Sequence, residues 1–292
     1  MTLLRVNIGP EGAELHGRGR QAGSTLARAA RASDGPIIVM VHGWSFEPGH
    51  SRHCPHRHIL GTDVDAVQSW PEGLGFRAGA QNAGLGVAIG WQARCSLREA
   101  YIRAGEAGRM LSSVISSLRL GSGGRPVHAI GHSLGARVIL SALPYLAAGD
   151  VGRIVALAGA EWQDTALDCL DTPAGRAAEL INVTWKANAA FDMVFARLLR
   201  RNARPMGAGL GAASNRVDMH LDCPDLHGRL AALGYPLAPL ERMFCHWSGY
   251  ENRGALALHA ALMRTPEALP LSLLASKRTE RVEPRFGLLR TA

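Results

Sequence analysis

Five consecutive residues, Gly131-His132-Ser133-Leu134-Gly135, match the pattern Gly-x-Ser-x-Gly. In this pattern a serine occupies a tight turn between a strand and a helix. Here an apolar run at 127–130 precedes the motif and a helical stretch follows it. The hydroxyl at such a turn projects above the sheet, beside the amide N–H of the next residue, Leu134. The helix N-terminus favours negative charge that develops there. The pattern therefore predicts that Ser133 is a nucleophile for acyl transfer.

A second motif, His42-Gly43-Trp44, directly follows the apolar run at 37–41. Acyl transfer creates a tetrahedral oxyanion, which needs two N–H donors aimed at it. We expect the backbone amides of Leu134 and Trp44 to be these donors. We expect the side chain of His42 to brace the turn.

The segments Val39-Met40-Val41-His42-Gly43-Trp44 and Ala129-Ile130-Gly131-His132-Ser133-Leu134-Gly135 resemble motifs of the α/β-hydrolase family. The resemblance extends from about residue 36 to about residue 263 and is strongest at these two motifs. It implies a serine hydrolase of the esterase or lipase type, which cleaves an ester or related acyl bond through an acyl-enzyme intermediate. It also implies the chain order nucleophile, acid, histidine, so the partners of Ser133 are sought downstream.

For the acid, the resemblance implies an aspartate just past the next-to-last strand. The predicted strand at 180–186 is followed by Asp192, which would accept the imidazole N–H and fix its tautomer. The main rival is Glu161, at the end of the predicted strand 154–160, because some family members place the acid one strand earlier. Asp164 and Asp168 are weaker candidates.

For the base, we expect His246, on an aromatic-rich loop before the final helix. If residues 216–221 form the last strand, His220 or His227 lies nearer to its end, so these remain alternatives. The candidate residues of the substrate pocket are His42, His132, Trp247 and Tyr250. With Trp44, the last two would favour an apolar acyl substrate.

Apolar runs and helical stretches alternate along most of the chain, which predicts an α/β fold with a mostly parallel central sheet flanked by helices on both faces. Strands are predicted at 37–41, 85–91, 126–130, 154–160, 180–186 and 216–221, and helices at 96–119, 134–148, 191–201, 225–232 and 254–263. About 20 residues separate the strands near 160 and 180, which leaves no room for a large cap domain. We predict a single domain over residues 1–292, with residues 264–292 as a tail of unassigned structure. Loops 45–83 and 202–245 should cover the pocket.

A loop at 50–58 is the strongest competing signal, since it holds His50, His53, Cys54, His56 and His58. Such residues could bind zinc, but their spacing lacks a regular ligand pair. We expect a loop of neutral imidazoles at the mouth of the site, with no metal and no cofactor. A metal-binding protein, or a catalytically inactive binding protein with the same fold, remains the alternative.

The net charge of +8 suggests an anionic partner only until the charges are located. Most of the surplus lies on four arginines between 197 and 204 and in the tail, without interleaved aromatic residues, so nucleic-acid binding is not expected. Five scattered cysteines favour reduced thiols. The N-terminus lacks the roughly 7–15 apolar residues of a signal peptide, and no apolar run approaches the roughly 18 residues of a membrane span. We therefore expect a cytoplasmic protein, and the sequence leaves its oligomeric state open.

Overall fold

A nine-stranded, mostly parallel sheet is the centre of the part of the chain that the structure describes. The structure is a computed structural model that describes residues 2–62, 64, 68–77, 79–80, 83–199, 202–240 and 244–275. The strand order is β3-β2-β1-β5-β4-β6-β7-β8-β9. The strands are β1 (Leu3–Gly9), β2 (Gly12–Leu15), β3 (Arg20–Gln21), β4 (Ile37–Val41), β5 (Leu85–Gly90), β6 (Val127–His132), β7 (Val151–Leu157), β8 (Glu179–Thr184) and β9 (Arg216–His220). In this sheet the pairs β1–β2 and β2–β3 are antiparallel, and the other six pairs are parallel.

Helices follow most of the strands. They are α1 (Gly23–Arg31), α2 (Trp70–Gly73), α3 (Leu97–Gly121), α4 (Leu134–Ala142), α5 (Gln163–Leu170), α6 (Pro173–Ala177), α7 (Ala189–Leu199), α8 (Pro224–Ala232), α9 (Ser248–Glu251), α10 (Ala255–Arg264) and α11 (Leu271–Leu274). A short 3₁₀ turn, Lys186–Asn188, joins β8 to α7. Because parallel strands need such crossovers, the alternation in the sequence becomes an α/β fold.

The central strands are apolar throughout because both faces of the sheet are covered. All five residues of β4 are buried. Ile37 and Val39 belong to one hydrophobic cluster, whereas Ile38 and Met40 belong to a second. Side chains alternate between the two faces of a strand, so the two clusters lie on opposite faces of the sheet. The predicted fold class is confirmed.

The predicted central elements are confirmed, with shifts at some ends. Strand β4 has the predicted bounds, whereas β7 ends three residues before the predicted end at residue 160. There Ala158 takes a φ of 44° and the chain leaves the sheet. The N-terminal strands β1 to β3, absent from the sequence analysis, extend the sheet at one edge. Arg200, Arg201 and the basic tail from residue 276 lie outside the described residues.

The connection from β7 to β8 holds only the short helices α5 and α6, so no large cap is inserted there. The cysteines are free thiols, all buried except the partly exposed Cys95. None of the helices in the described part of the chain combines the length and apolar character that a membrane crossing requires.

Candidate active site

Ser133 occupies a strained turn at the carboxyl edge of the sheet, between β6 and α4. Its φ of 55° and ψ of −123° lie in a region that is sterically unfavourable for residues other than glycine. Among the described residues, only Ser45, Ser133 and Ala158 combine a positive φ with a side chain. All three line the same cavity. Such strain persists only where the surrounding structure enforces it, and it concentrates at functional sites.

Glycines let the two sequence motifs meet around this turn. A Cβ atom on Gly43 would lie 2.9 Å from the Cβ of Ser133, and one on Gly135 would lie 2.3 Å from the carbonyl oxygen of Val41. A Cβ on Gly131 would lie 2.7 Å from the carbonyl carbon of Gly135. A larger residue at Gly43 or Gly135 would push the segment around the end of β4 away from the serine turn, and one at Gly131 would push β6 away from α4.

The backbone around the turn leaves two amide donors free. Within the described residues, neither the Trp44 nor the Leu134 amide N–H has a hydrogen-bond partner. His42 is fully buried and holds the neighbouring loops, as expected: its Nδ1 donates to the Gly43 carbonyl at 2.8 Å, and its Nε2 accepts from the Trp91 amide at 3.0 Å. Burial lowers the pKa of His42 to about 3, so its imidazole is neutral.

The imidazole of His246 lines the same cavity as Ser133. Its Nδ1 lies 2.6 Å from Oδ1 of Asn188, and its ring stacks on Phe191 at a centroid distance of 4.7 Å. Its carbonyl accepts a hydrogen bond from Nε2 of His132 at 2.8 Å. Desolvation by the surrounding protein, followed by the charge of His132, lowers the pKa of His246 well below its usual value. The ring is therefore a neutral base at physiological pH.

The side chains of Ser133 and His246 both line the cavity. Among the described residues, neither Ser133 Oγ nor His246 Nε2 has a hydrogen-bond partner. Both atoms are accessible, because neither is among the buried polar atoms that lack a partner. Catalytic hydrogen bonds are often long without substrate and tighten when it binds. The arrangement can support proton transfer from a serine hydroxyl to a neutral imidazole.

Asn188, which the sequence does not single out, lies beside His246 in the structure. It is buried, its Oδ1 contacts His246, and its Nδ2 donates to Oδ1 of Asp192 at 3.1 Å. The structure thus places the predicted acid, Asp192, behind the amide, against Gly207, where a Cβ would lie 2.3 Å from the carboxylate. The signal in the sequence is an amide four residues before the aspartate, since an amide oxygen can accept an imidazole N–H as a carboxylate does.

The rival acids lie elsewhere. Glu161 is fully buried, accepts a hydrogen bond from the hydroxyl of Tyr101 at 2.6 Å and forms an ion pair with Arg137. This network ties β7 to α3 and α4. Asp164 and Asp168 are exposed on α5.

The rival histidines lie on or just after the last strand and have their own partners. Nδ1 of His220 lies 2.6 Å from the hydroxyl oxygen of Thr184, and Nε2 of His227 donates to the carbonyl of Leu221. Of the three candidate bases, only His246 lines the cavity at Ser133.

This cavity has a volume of about 670 Å³. Helix α7 lines it with three apolar side chains and one carboxylate, and the loop after β4 lines it with both apolar and polar side chains; these residues are Phe191, Asp192, Val194 and Phe195, and Trp44, Phe46, Arg52, His53 and His58. Three of the four predicted pocket residues line the cavity: His132, Trp247 and Tyr250. The fourth, His42, is buried and does not line it.

The loop at 50–58 uses its imidazoles as hydrogen-bond partners. Nδ1 of His50 accepts from the amides of Arg52 and His53, and Nε2 of His56 lies 2.9 Å from Oδ1 of Asn7. Within the described residues, no group of three or more His, Cys, Asp or Glu side chains could hold a metal ion. His53 and His58 line the cavity, so the loop walls the mouth as predicted.

Fold and site together define an α/β protein with a strained serine turn at the carboxyl edge of its sheet. A family model described as "Protein of unknown function (DUF726)" matches residues 94–159. No curated protein matches the sequence.

The solved structures that are similar to the chain include a lipase and an esterase. One is the lipase BlEst2 of Bacillus licheniformis in propeptide form, with 13% identity and a TM-score of 0.45, over 84% of this chain and 52% of that chain. The other is a thermophilic esterase of the planctomycete Thermogutta terrifontis with propionate bound, with 12% identity and a TM-score of 0.35, over 84% of this chain and 87% of that chain. The chain thus spans about half the length of the lipase.

Proposed function

We propose that the chain is a serine hydrolase that cleaves an ester or a related acyl bond, with Ser133 as nucleophile and His246 as general base. One observation carries the proposal: the strained serine at the carboxyl edge of the sheet and a neutral imidazole line one cavity. The imidazole has its Nδ1 engaged and its Nε2 open.

The reaction would proceed in two halves. Ser133 Oγ attacks the acyl carbon while His246 Nε2 takes the hydroxyl proton, and the carbonyl electron pair moves to the oxygen. The free amides of Trp44 and Leu134 would donate to this oxyanion, with roughly 3 kcal/mol of stabilisation for each donor in known cases. Collapse breaks the acyl–oxygen bond, and the proton on Nε2 passes to the leaving alcohol. Water then releases the acid by the same steps.

The substrate that suits the cavity has an apolar acyl group. Aromatic and aliphatic side chains of α7, together with Trp247, form the wall beside His246. Apolar walls with a few convergent polar groups are typical of small-molecule sites.

Covalent labelling with a fluorophosphonate probe tests the proposal, because such probes react only with an activated serine. We expect one adduct, located on Ser133 by mass spectrometry, and none in Ser133→Ala. The control is Ser113→Ala, which removes an exposed hydroxyl from α3 that bonds only the Met110 carbonyl. If the native protein is folded but not labelled, the serine hydrolase proposal is refuted, and a catalytically inactive binding protein with the same fold is the remaining interpretation. Hydrolysis of p-nitrophenyl esters of increasing acyl length then measures the preferred chain.

A further inference from the structure

We infer that the residue that positions His246 is an amide, Asn188, and that Asp192 acts only through this amide. The inference rests on the proposed function and deepens it. The observation is a chain of two hydrogen bonds: imidazole Nδ1 to Asn188 Oδ1 at 2.6 Å, and Asn188 Nδ2 to Asp192 Oδ1 at 3.1 Å.

The order of these groups determines the protonation of the imidazole. An ionised carboxylate only accepts hydrogen bonds, so Asp192 holds the NH₂ group of Asn188 and turns the amide oxygen towards His246. An amide oxygen also only accepts, so Nδ1 must carry the proton. The lone pair on Nε2 is then free for the proton of Ser133, which is the tautomer that catalysis needs.

The chain segments that carry Asn188 and His246 are bound side by side. Nε1 of Trp185 donates to the carbonyl of Cys245 at 2.7 Å, and the Cys245 amide donates to the carbonyl of Ala187 at 3.3 Å. The contact between amide and imidazole is the next one along this pair of segments. Side chains held in this way keep the geometry that a catalytic group requires.

Because Asn188 is neutral, it gives the imidazolium of His246 no opposite charge in contact with Nδ1. Among the described residues, the titratable and charged groups that face the ring or share its cavity are His132 from β6, Asp192 from α7, Tyr250 and Glu251 from α9, and Arg52, His53 and His58 from the loop after β4. An opposite charge within about 4–6 Å raises the pKa of a histidine. Moving the carboxylate into contact with Nδ1 should therefore make His246 easier to protonate.

The test exchanges the two side chains. In Asn188→Asp/Asp192→Asn the carboxylate faces the imidazole and the amide lies behind it, with the net charge unchanged. The readout is the second-order rate at which the fluorophosphonate probe labels Ser133, measured from pH 5 to pH 9 and divided at each pH by the fraction of folded protein that tryptophan fluorescence gives. The acidic limb of this profile reports the pKa of the base in the free enzyme.

We expect the exchanged variant to label within about tenfold of the native rate, with the acidic limb shifted upwards by about one pH unit or more. Asp192→Asn alone keeps an oxygen acceptor for the Asn188 amide and should slow labelling by less than about tenfold. Asn188→Ala removes the tautomer control and should slow labelling by about 10²–10⁴-fold. Asn215→Asp is the matched control, since it makes the same change at a residue that bonds the Gly175 carbonyl away from the cavity.

Two results would overturn the inference. One is a loss in Asp192→Asn as large as that in Asn188→Ala, which would make the carboxylate the direct partner. The other is an exchanged variant that labels with an unshifted limb. Native protein that does not label at all refutes the proposed function instead, so the two failures are distinguishable.

Discussion

Lowering the pH from 7 to 5 should destabilise the fold through its buried histidines. Burial lowers the pKa of five of them to values between about 2 and about 4: His42, His56, His128, His132 and His259. For two of them the hydrogen bonds show why protonation is unfavourable. His42 Nε2 accepts from a backbone amide at 3.0 Å, and His128 Nδ1 accepts from another at 3.0 Å. A proton on either atom would place two donors face to face.

The sign and size of the effect follow from proton linkage. Each folded-state pKa lies below the unfolded value of about 6.5, so the stabilisation is complete above that value and is lost as the pH falls towards the folded pKa. At pH 5 the unfolded chain binds nearly one more proton at each of these sites. With about 1.36 kcal/mol per pKa unit, each histidine costs about 2 kcal/mol between pH 7 and pH 5. Five of them together cost about 9–10 kcal/mol, which is comparable to the whole stability of a typical domain.

Urea unfolding at pH 7, 6 and 5, followed by tryptophan fluorescence, measures this loss. The control is His259→Gln, whose amide can keep the donor to the Gly249 carbonyl that Nε2 provides at 2.7 Å. The variant has one titrating histidine fewer. Between pH 7 and pH 5 its free energy of unfolding should therefore fall by about 2 kcal/mol less than that of the native protein. A native free energy of unfolding that changes by less than about 2 kcal/mol between pH 7 and pH 5 would refute the reasoning.

Two further predictions concern packing and charge. Gly135→Ala places a Cβ 2.3 Å from the carbonyl oxygen of Val41 and should destabilise the protein by about 3 kcal/mol or more. By contrast, Gly228→Ala meets nothing within 4 Å on α8 and should stabilise it by about 0.5–1 kcal/mol; equal effects in urea unfolding would contradict the packing argument. Glu161→Gln leaves Arg137 without its buried partner and should cost about 3–5 kcal/mol. It should leave the pH profile of probe labelling unchanged, and a shifted profile would show that this carboxylate acts on the base.

The parts of the fold that local patterns encode were predictable from the sequence. The run at 37–41 is apolar at every position because both faces of β4 are covered. A strand with that pattern can be predicted without knowledge of its contacts to distant parts of the chain. The glycines around Ser133 likewise indicate the turn, since only a residue without Cβ fits where Gly135 meets Val41. The N-terminal strands β1 to β3 carried no such continuous run, because β1 and β2 alternate buried and partly exposed positions.

The candidate site also has features that the sequence predicts and one that only the tertiary structure decides. The sequence by itself determined that a serine turn follows β6, that a second motif follows β4, and that His246 and Asp192 are candidates for the remaining roles. Only the tertiary structure decided which side chain reaches the imidazole, because Asn188 and His246 are 58 positions apart in the chain. Their contact depends on how the segment after β8 packs against the loop before α9. The residue type alone could not select the amide, since amide and carboxylate oxygens both accept an N–H, and the choice between them is made by distance.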